Sequence, residues 1–168
     1  MKISAQEEYG LRCLLQLALS SSQEGMTVKE IARLEGLSPA YVEKLMRTMG
    51  KAGLIHSLRG TKGGYRLNKT PSEIGVGEVL RALGSVPSTT QICDRFTGQL
   101  DSCVHMDNCC IGSVWATLNH AIQNFLDNTY LSDLMGGEAH ALETMGQRMS
   151  PIQIHTGFST DKLNQDKK

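Results

Sequence analysis

No apolar run in the chain approaches the roughly 20 residues that a membrane-spanning helix requires. The start, Met1 to Glu8, is polar and has no apolar leader core, so a cytoplasmic location is expected. Catalytic arrangements are missing as well. No Ser/His/Asp set, carboxylate pair or phosphate-cradling loop stands out, and the glycine-rich stretch from Gly60 to Gly64 lies in a predicted hairpin, the wrong context for a nucleotide. A protein that is not an enzyme and takes no small-molecule substrate is therefore expected. The tight C-x2-C knuckle of zinc sites is absent too, although the chain holds five cysteines. An odd number in a reducing compartment suits metal ligands plus spares better than a disulfide framework.

Net charge is also lacking: 17 basic side chains balance 17 acidic ones. Alone, that balance argues against a nucleic-acid partner. The distribution along the chain argues for one. Residues 26–69 carry nine Lys and Arg against three Asp and Glu, and the remainder carries eight against fourteen. A basic module is joined to an acidic remainder, and a local basic patch is what phosphate binding needs. With 168 residues, 40% of them hydrophobic, there is room for one ordinary domain with its core and an appendage.

Ser4-Ala5-Gln6-Glu7 is a capping box that opens a helix to about Ser20, with Leu11, Leu14, Leu15 and Ala18 on one face. Cys13 within it reads as a packing thiol. After a loop from Ser21 to Gly25, Thr27 and Glu30 form a second capping box. Val28, Ile31, Ala32 and Leu34 are expected to turn inward, and Gly36 to end the helix in a left-handed cap. Ser38 caps a third helix with Pro39 at its first position and Val42, Leu45, Met46 and Met49 as its buried stripe, running to about Gly50.

Two helices joined by a tight turn, the second carrying Lys44, Arg47 and Lys51, form a helix-turn-helix. Leu54 to Leu58 then alternates as a strand, Gly60, Gly63 and Gly64 mark a turn, and Tyr65-Arg66-Leu67 returns. That hairpin is a wing, made basic by Arg59, Lys62 and Arg66 and suited to a DNA backbone or minor groove. On the third helix Ser38, Ala40, Tyr41, Glu43, Lys44 and Arg47 are the candidate DNA-reading residues. Glu43 can accept from a cytosine amino group. Thr70-Pro71-Ser72 breaks the chain, and Ile74 to Leu83 reads as a further helix.

Residues 84–110 lack periodicity and hold Cys93, Cys103 and Cys109, separated by nine and five residues. Thiolates are soft ligands, and a loop of this size suits an iron–sulfur cluster or zinc. Cys110 is a spare or alternate ligand, and His105 a possible nitrogen donor. From Ile111 the helical period returns, with Val114, Trp115, Leu118, Ile122, Phe125 and Leu126 on one apolar face suited to dimerisation. His120 and His56 read as surface or structural residues, Trp115 and Phe125 as core or interface anchors. Leu131, Leu134 and Met135 suggest one more helical turn, and beyond Gly136 the apolar pattern dissolves. The expected fold is mainly α: a winged helix-turn-helix domain over 1–83, a cysteine loop over 84–110, a dimerisation helix region over 111–136, and a partly disordered polar tail over 137–168.

These motifs together resemble the Rrf2-type winged-helix transcription regulators, which include the IscR, NsrR and RirA iron–sulfur sensors. The resemblance covers residues 1 to about 135. It rests on Ser4…Tyr9…Leu11, on Ile31-Ala32…Gly36-Leu37-Ser38…Tyr41-Val42-Glu43-Lys44-Leu45, and on Leu58-Arg59-Gly60…Gly63-Gly64-Tyr65-Arg66-Leu67. Ile74-Gly75-Val76-Gly77-Glu78-Val79 and Cys109…Val114-Trp115 complete it. It implies a homodimer held by the long helix and bound to a pseudo-palindromic operator in double-stranded DNA. It also implies an iron–sulfur cluster, 2Fe-2S or 4Fe-4S, on Cys93, Cys103 and Cys109. Arg59 would enter the minor groove and Glu43 would tune sequence choice. Gly112 stands where the IscR branch has a ligand histidine. Glu8 matches the carboxylate that the nitric-oxide-sensing branch borrows from the partner subunit, so the order for the fourth ligand is Glu8, His105, Cys110. Rival readings are a zinc- or thiol-based regulator without a cluster and a winged-helix adaptor that binds protein.

Overall fold

The first three helix starts in this protein are set by side chains that take up free backbone N–H groups. The computed structural model describes residues 3–20, 25–58, 63–84, 98, 103–105 and 109–148. Ser4 Oγ accepts from the Glu7 amide at 3.3 Å, and the Glu7 carboxylate accepts from the Ser4 amide at 2.6 Å. This opens α1 (Ala5–Leu19). Thr27 and Glu30 repeat the exchange at 3.2 and 2.7 Å to open α2 (Val28–Glu35). Ser38 Oγ accepts from the Tyr41 amide at the start of α3 (Pro39–Lys51). A cap of this kind contributes about 1 kcal/mol. Gly36 ends α2 with φ +66°, a left-handed conformation that costs glycine little.

β1 (Ile55–Leu58) and β2 (Gly64–Leu67) pair antiparallel, from Ile55 opposite Leu67 to Leu58 opposite Gly64. The sequence put Gly64 in the turn; it is the first residue of β2. Its lack of a side chain lets Met26 lie against the strand, where a β-carbon would press on the Met26 backbone. Met26 and Tyr65 exchange backbone hydrogen bonds at 3.1 and 2.8 Å, so the wing is tied to the turn before α2. A short 3-10 turn, Pro71–Glu73, leads to α4 (Val76–Leu83). That helix starts two residues later than the sequence suggests, because Ile74 and Gly75 are extended and pair with Leu131 and Tyr130.

α5 (Cys110–Asp127), a second 3-10 turn at Leu131–Leu134 and α6 (Gly137–Arg148) complete the described chain. α6 occupies the first part of the segment expected as a polar tail. Glu138, Ala139, Ala141, Leu142, Glu143 and Met145 favour helix even though no continuous apolar face announces one. Residues 149–168 lie outside the described residues.

The core lies between α1, α2, α3 and α4: Cys13, Leu14, Ile31, Val42, Leu45, Met46, Met49, Leu54, Ile74, Val79, Leu83 and Leu131 are all sealed in it. Leu131 belongs to the segment after α5, so the chain returns to the winged-helix core after leaving it. Two expected faces need correction. α1 buries Gly10, Cys13, Leu14 and Leu17, while Leu11, Leu15 and Ala18 are only partly buried. The face is turned because Leu83 packs onto the bare backbone of Gly10. Leu34 points outward at 47% exposure. In the last turn of α2 the contact with α1 is made by Glu35, whose carboxylate accepts from Gln16 at 2.6 Å.

This difference between neighbours on one short helix is measurable in urea titrations. Ile31→Ala, at a fully buried site, should lower the unfolding free energy by about 2–5 kcal/mol. Leu34→Ala should stay within about 0.5 kcal/mol of the unaltered chain.

Candidate nucleic-acid interface and cysteine loop

The outer face of α3 follows from its inner one. Burying Val42, Leu45, Met46 and Met49 leaves Ala40, Glu43, Lys44, Arg47, Thr48 and Lys51 around an open groove of about 340 Å³. Glu43 and Arg47, one turn apart, form an ion pair at 2.6 Å. The groove is therefore a cationic surface with one carboxylate set inside it, able to meet phosphate oxygens and base edges. Ser38 is exposed, but its hydroxyl is engaged as the helix cap. Tyr41 is half-buried, its ring edge-on to Tyr9 at 6.2 Å between centroids. Thr48 and Lys51 line the same groove and were not among the site residues expected from the sequence. Their signal was the spacing of four and seven from Lys44.

Beside this helix the wing has a polar anchor. Asn68 Nδ2 donates to the Gly53 carbonyl at 2.6 Å, and Asn68 Oδ1 lies 2.6 Å from His56 Nδ1. The turn after α3 and the base of the hairpin are thus linked, and His56 is both exposed and structural. Arg66 is exposed on β2. Arg59 and Lys62 lie outside the described residues.

The cysteines divide by environment. Cys13 is sealed in the core. Burial, helped by the nearby Glu35 charge, pushes its thiol from 9.0 up to about 12. Cys103 and Cys109 are free and half-buried, and Cys110 is free and exposed. Cys109 caps α5, its Sγ accepting from the Gly112 amide at 3.1 Å. Gly112 therefore follows one turn behind the thiol, with no side chain to offer as a ligand. A half-buried thiol at the positive end of a helix suits a charged, metal-bound sulfur. The donor chemistry fits an iron–sulfur cluster or zinc. Cys93 lies outside the described residues.

Of the fourth-ligand candidates, Cys110 and His105 are close to these thiols in sequence, and Glu8 is far from them. Glu8 is exposed on α1 and paired with Arg12 at 2.8 Å, which raises the arginine's pKa through the hydrogen bond and the charge. Surface pairs of this kind are readily exchanged for another partner. His105 is exposed in the loop segment. Among the described residues, no group of three His, Cys, Asp or Glu side chains is gathered to hold a metal.

α5 buries none of its residues in the protomer. Ile111, Val114, Trp115 and Leu118 are 64, 61, 42 and 49% exposed. Toward its other end Ile122, Phe125 and Leu126 are half-buried, where the helix approaches α4. Apolar side chains clustered in this way on a helix mark an interaction surface.

Residues 3–137 match the family model described as Rrf2, iron-dependent transcriptional regulator. The chain belongs to the Rrf2 family. It is 35% identical over 135 residues to protein rrf2 of Nitratidesulfovibrio vulgaris, covering 80% of this chain and 87% of that one. It is 31% identical over 159 residues to the transcriptional regulator IscR of Vibrio atlanticus, covering 95% and 88%. A solved structure of CymR, the global cysteine regulator of B. subtilis, superposes with a TM-score of 0.65 at 30% identity, covering 81% of this chain and 97% of that one.

Rrf2 membership makes this chain a transcriptional regulator with a winged-helix DNA-binding unit, and the expected mainly helical fold with a two-stranded wing is the observed one. Its relatives are regulators and not enzymes. Among the described residues no helix is long and apolar enough to cross a membrane.

The separation of the thiols sets a chemical test. Iodoacetamide at about pH 8 should label Cys103, Cys109 and Cys110 in the native apoprotein and modify Cys13 at least about a hundredfold more slowly than in denaturant. Peptide mass spectrometry reads the result. The same burial gives a sign for stability. Above pH 9 unfolded chains lose the Cys13 proton that folded chains keep up to about pH 12, so stability should fall as pH rises through that window. Cys13→Ala should flatten that fall.

Proposed function

We propose that this protein is a cytoplasmic, homodimeric regulator whose grip on a pseudo-palindromic operator is set by an iron–sulfur cluster on Cys93, Cys103 and Cys109. The observation that carries this reading is the composition of α5. Its first turn is capped by a cysteine thiol, and the same helix presents four exposed apolar side chains. Sensor chemistry and dimer surface thus meet on one element.

When bound, the cluster supplies a redox- and nitric-oxide-sensitive tie among the loop thiols. Everything else is done by the chain. Cys109 connects the loop to the start of α5, and α5 pairs with its copy through Ile111, Val114, Trp115 and Leu118. The far end of α5 rests on α4, which shares a core with α3. Reordering residues 84–110 therefore shifts the two recognition helices, whose separation must match about one turn of DNA. Lys44, Arg47 and Lys51 hold phosphates or guanine edges, Arg59 reaches the minor groove, and Glu43 restricts the sequence accepted. Glu8 of the partner copy is the preferred fourth ligand, followed by His105 and Cys110.

Anaerobic purification and reconstitution test the sensor. Coloured protein with iron and acid-labile sulfide is expected, lost in Cys93→Ser, Cys103→Ser and Cys109→Ser and kept in Cys110→Ser. Glu8→Ala and His105→Ala rank the fourth ligand by the rate of bleaching in air. Colourless protein free of iron and sulfide would overturn the cluster and favour a thiol- or zinc-based regulator. Sedimentation should show a dimer that Trp115→Asp dissociates. In anisotropy titrations Arg47→Ala and Arg59→Ala should each weaken operator binding by about 1–3 kcal/mol. Binding insensitive to both would favour the protein-binding adaptor.

A further inference from the structure

Among the described residues, the contacts that anchor α5 gather at its Asp127 end. Beyond Asp127 the chain turns and forms a backbone seam with the residues before α4. The Val76 amide donates to the Thr129 carbonyl at 2.8 Å, the Leu131 amide donates to the Ile74 carbonyl at 2.9 Å, and Gly75 bridges Tyr130. Thr129 and Leu131 are buried there. The seam holds position, but a backbone seam at the end of a helix leaves rotation of that helix to be set by other contacts.

One side-chain cluster sits where that rotation is decided. Asp127, the last residue of α5, reaches over the first turn of α4 and pairs with Arg81, Oδ1 to Nη2 at 2.7 Å. Arg81 lies one turn after Gly77 on the same face of α4. A β-carbon at Gly77 would overlap the Asp127 carboxylate and crowd the Arg81 guanidinium. The ion pair therefore lies in a slot made by a missing side chain. The half-exposed pair adds little to stability; its geometry is the informative feature.

α5 has 18 residues, a lever of about 27 Å at 1.5 Å per residue. A rotation of about 7° at the Asp127 end moves the other end by about 3.4 Å, one base-pair step along a strand. On the dimeric reading, we infer that Gly77, Arg81 and Asp127 are positioning residues that fix the angle between dimer helix and DNA-reading domain and so select the half-site spacing of the operator.

The experiment uses the full chain in the state in which it binds DNA. An operator is first selected from random duplexes by the unaltered protein, and copies are then made with one base pair added or removed between the half-sites. Affinities for the three spacings are measured for the unaltered protein, Asp127→Ala, Arg81→Ala and Gly77→Ala. The unaltered protein should prefer its own spacing by tenfold or more. Asp127→Ala and Arg81→Ala should reduce that preference at least fivefold while sedimentation still shows a dimer, and Arg81→Lys should restore part of it. Gly77→Ala should move the optimum or flatten it, and should have little further effect in the Asp127→Ala background. Equal weakening at all spacings, or an unchanged profile in Asp127→Ala and Arg81→Ala, would overturn the inference and leave the dimeric regulator intact. Failure of the unaltered protein to dimerise or to select DNA would overturn that reading, and this inference with it.

Discussion

Burial of Val42, Leu45, Met46 and Met49 decides which side of α3 can meet DNA. All four are sealed against α1, α2 and the strand that follows, and burying aliphatic side chains of this size stabilises by about 1.5–3 kcal/mol each. The helix therefore has no freedom to roll. Its opposite side must carry Lys44, Arg47 and Lys51 into solvent, and the turn at Gly53 must send β1 alongside it. The proposed interface with nucleic acid is a by-product of the core, and the wing is held to α3 by the Asn68 contact with Gly53.

α5 obeys the reverse logic. Ile111, Val114, Trp115 and Leu118 on it are exposed, so the helix supplies a surface where α3 supplies a buried stripe. Both helices read alike as amphipathic sequence. What separates them is position in the fold: α3 is enclosed by neighbours, and α5 leaves the core at Asp127 and points away. Cys109 then places the thiol chemistry at the free end, as far along the helix as possible from the seam that joins it to the DNA-reading domain.

Much of this was legible in the residues. The three caps at Ser4, Thr27 and Ser38, the left-handed Gly36 and the stripe on α3 are local signals, each set by hydrogen bonds or spacing within a few residues. The errors have a common cause. Leu34 turned outward because Glu35 takes the contact with α1, and α1 buries Gly10 because Leu83 arrives there from 73 positions later in the chain. Gly64 belongs to a strand because Met26 approaches its backbone. α4 starts late because Ile74 and Gly75 pair with residues beyond α5. None of these partners lies within reach of a local pattern. Of the candidate site, Ala40, Glu43, Lys44 and Arg47 on α3 were legible from helical spacing, while Thr48 and Lys51 were not among the expected site residues. The engagement of Tyr41 with Tyr9 and of Glu8 with Arg12 was not legible.

By itself the sequence determined the basic module, the helix boundaries that depend on caps, the buried stripe of α3, the positions of the cysteines and the family. These are properties of residue identity and short-range spacing. Only the tertiary structure decided which apolar face is enclosed and which is offered, that the chain re-enters its own core at Leu131, and that a bare Gly77 makes room for Asp127 and Arg81. Those outcomes depend on which distant segments share one volume, and close packing settles that only when the whole chain competes for the same space.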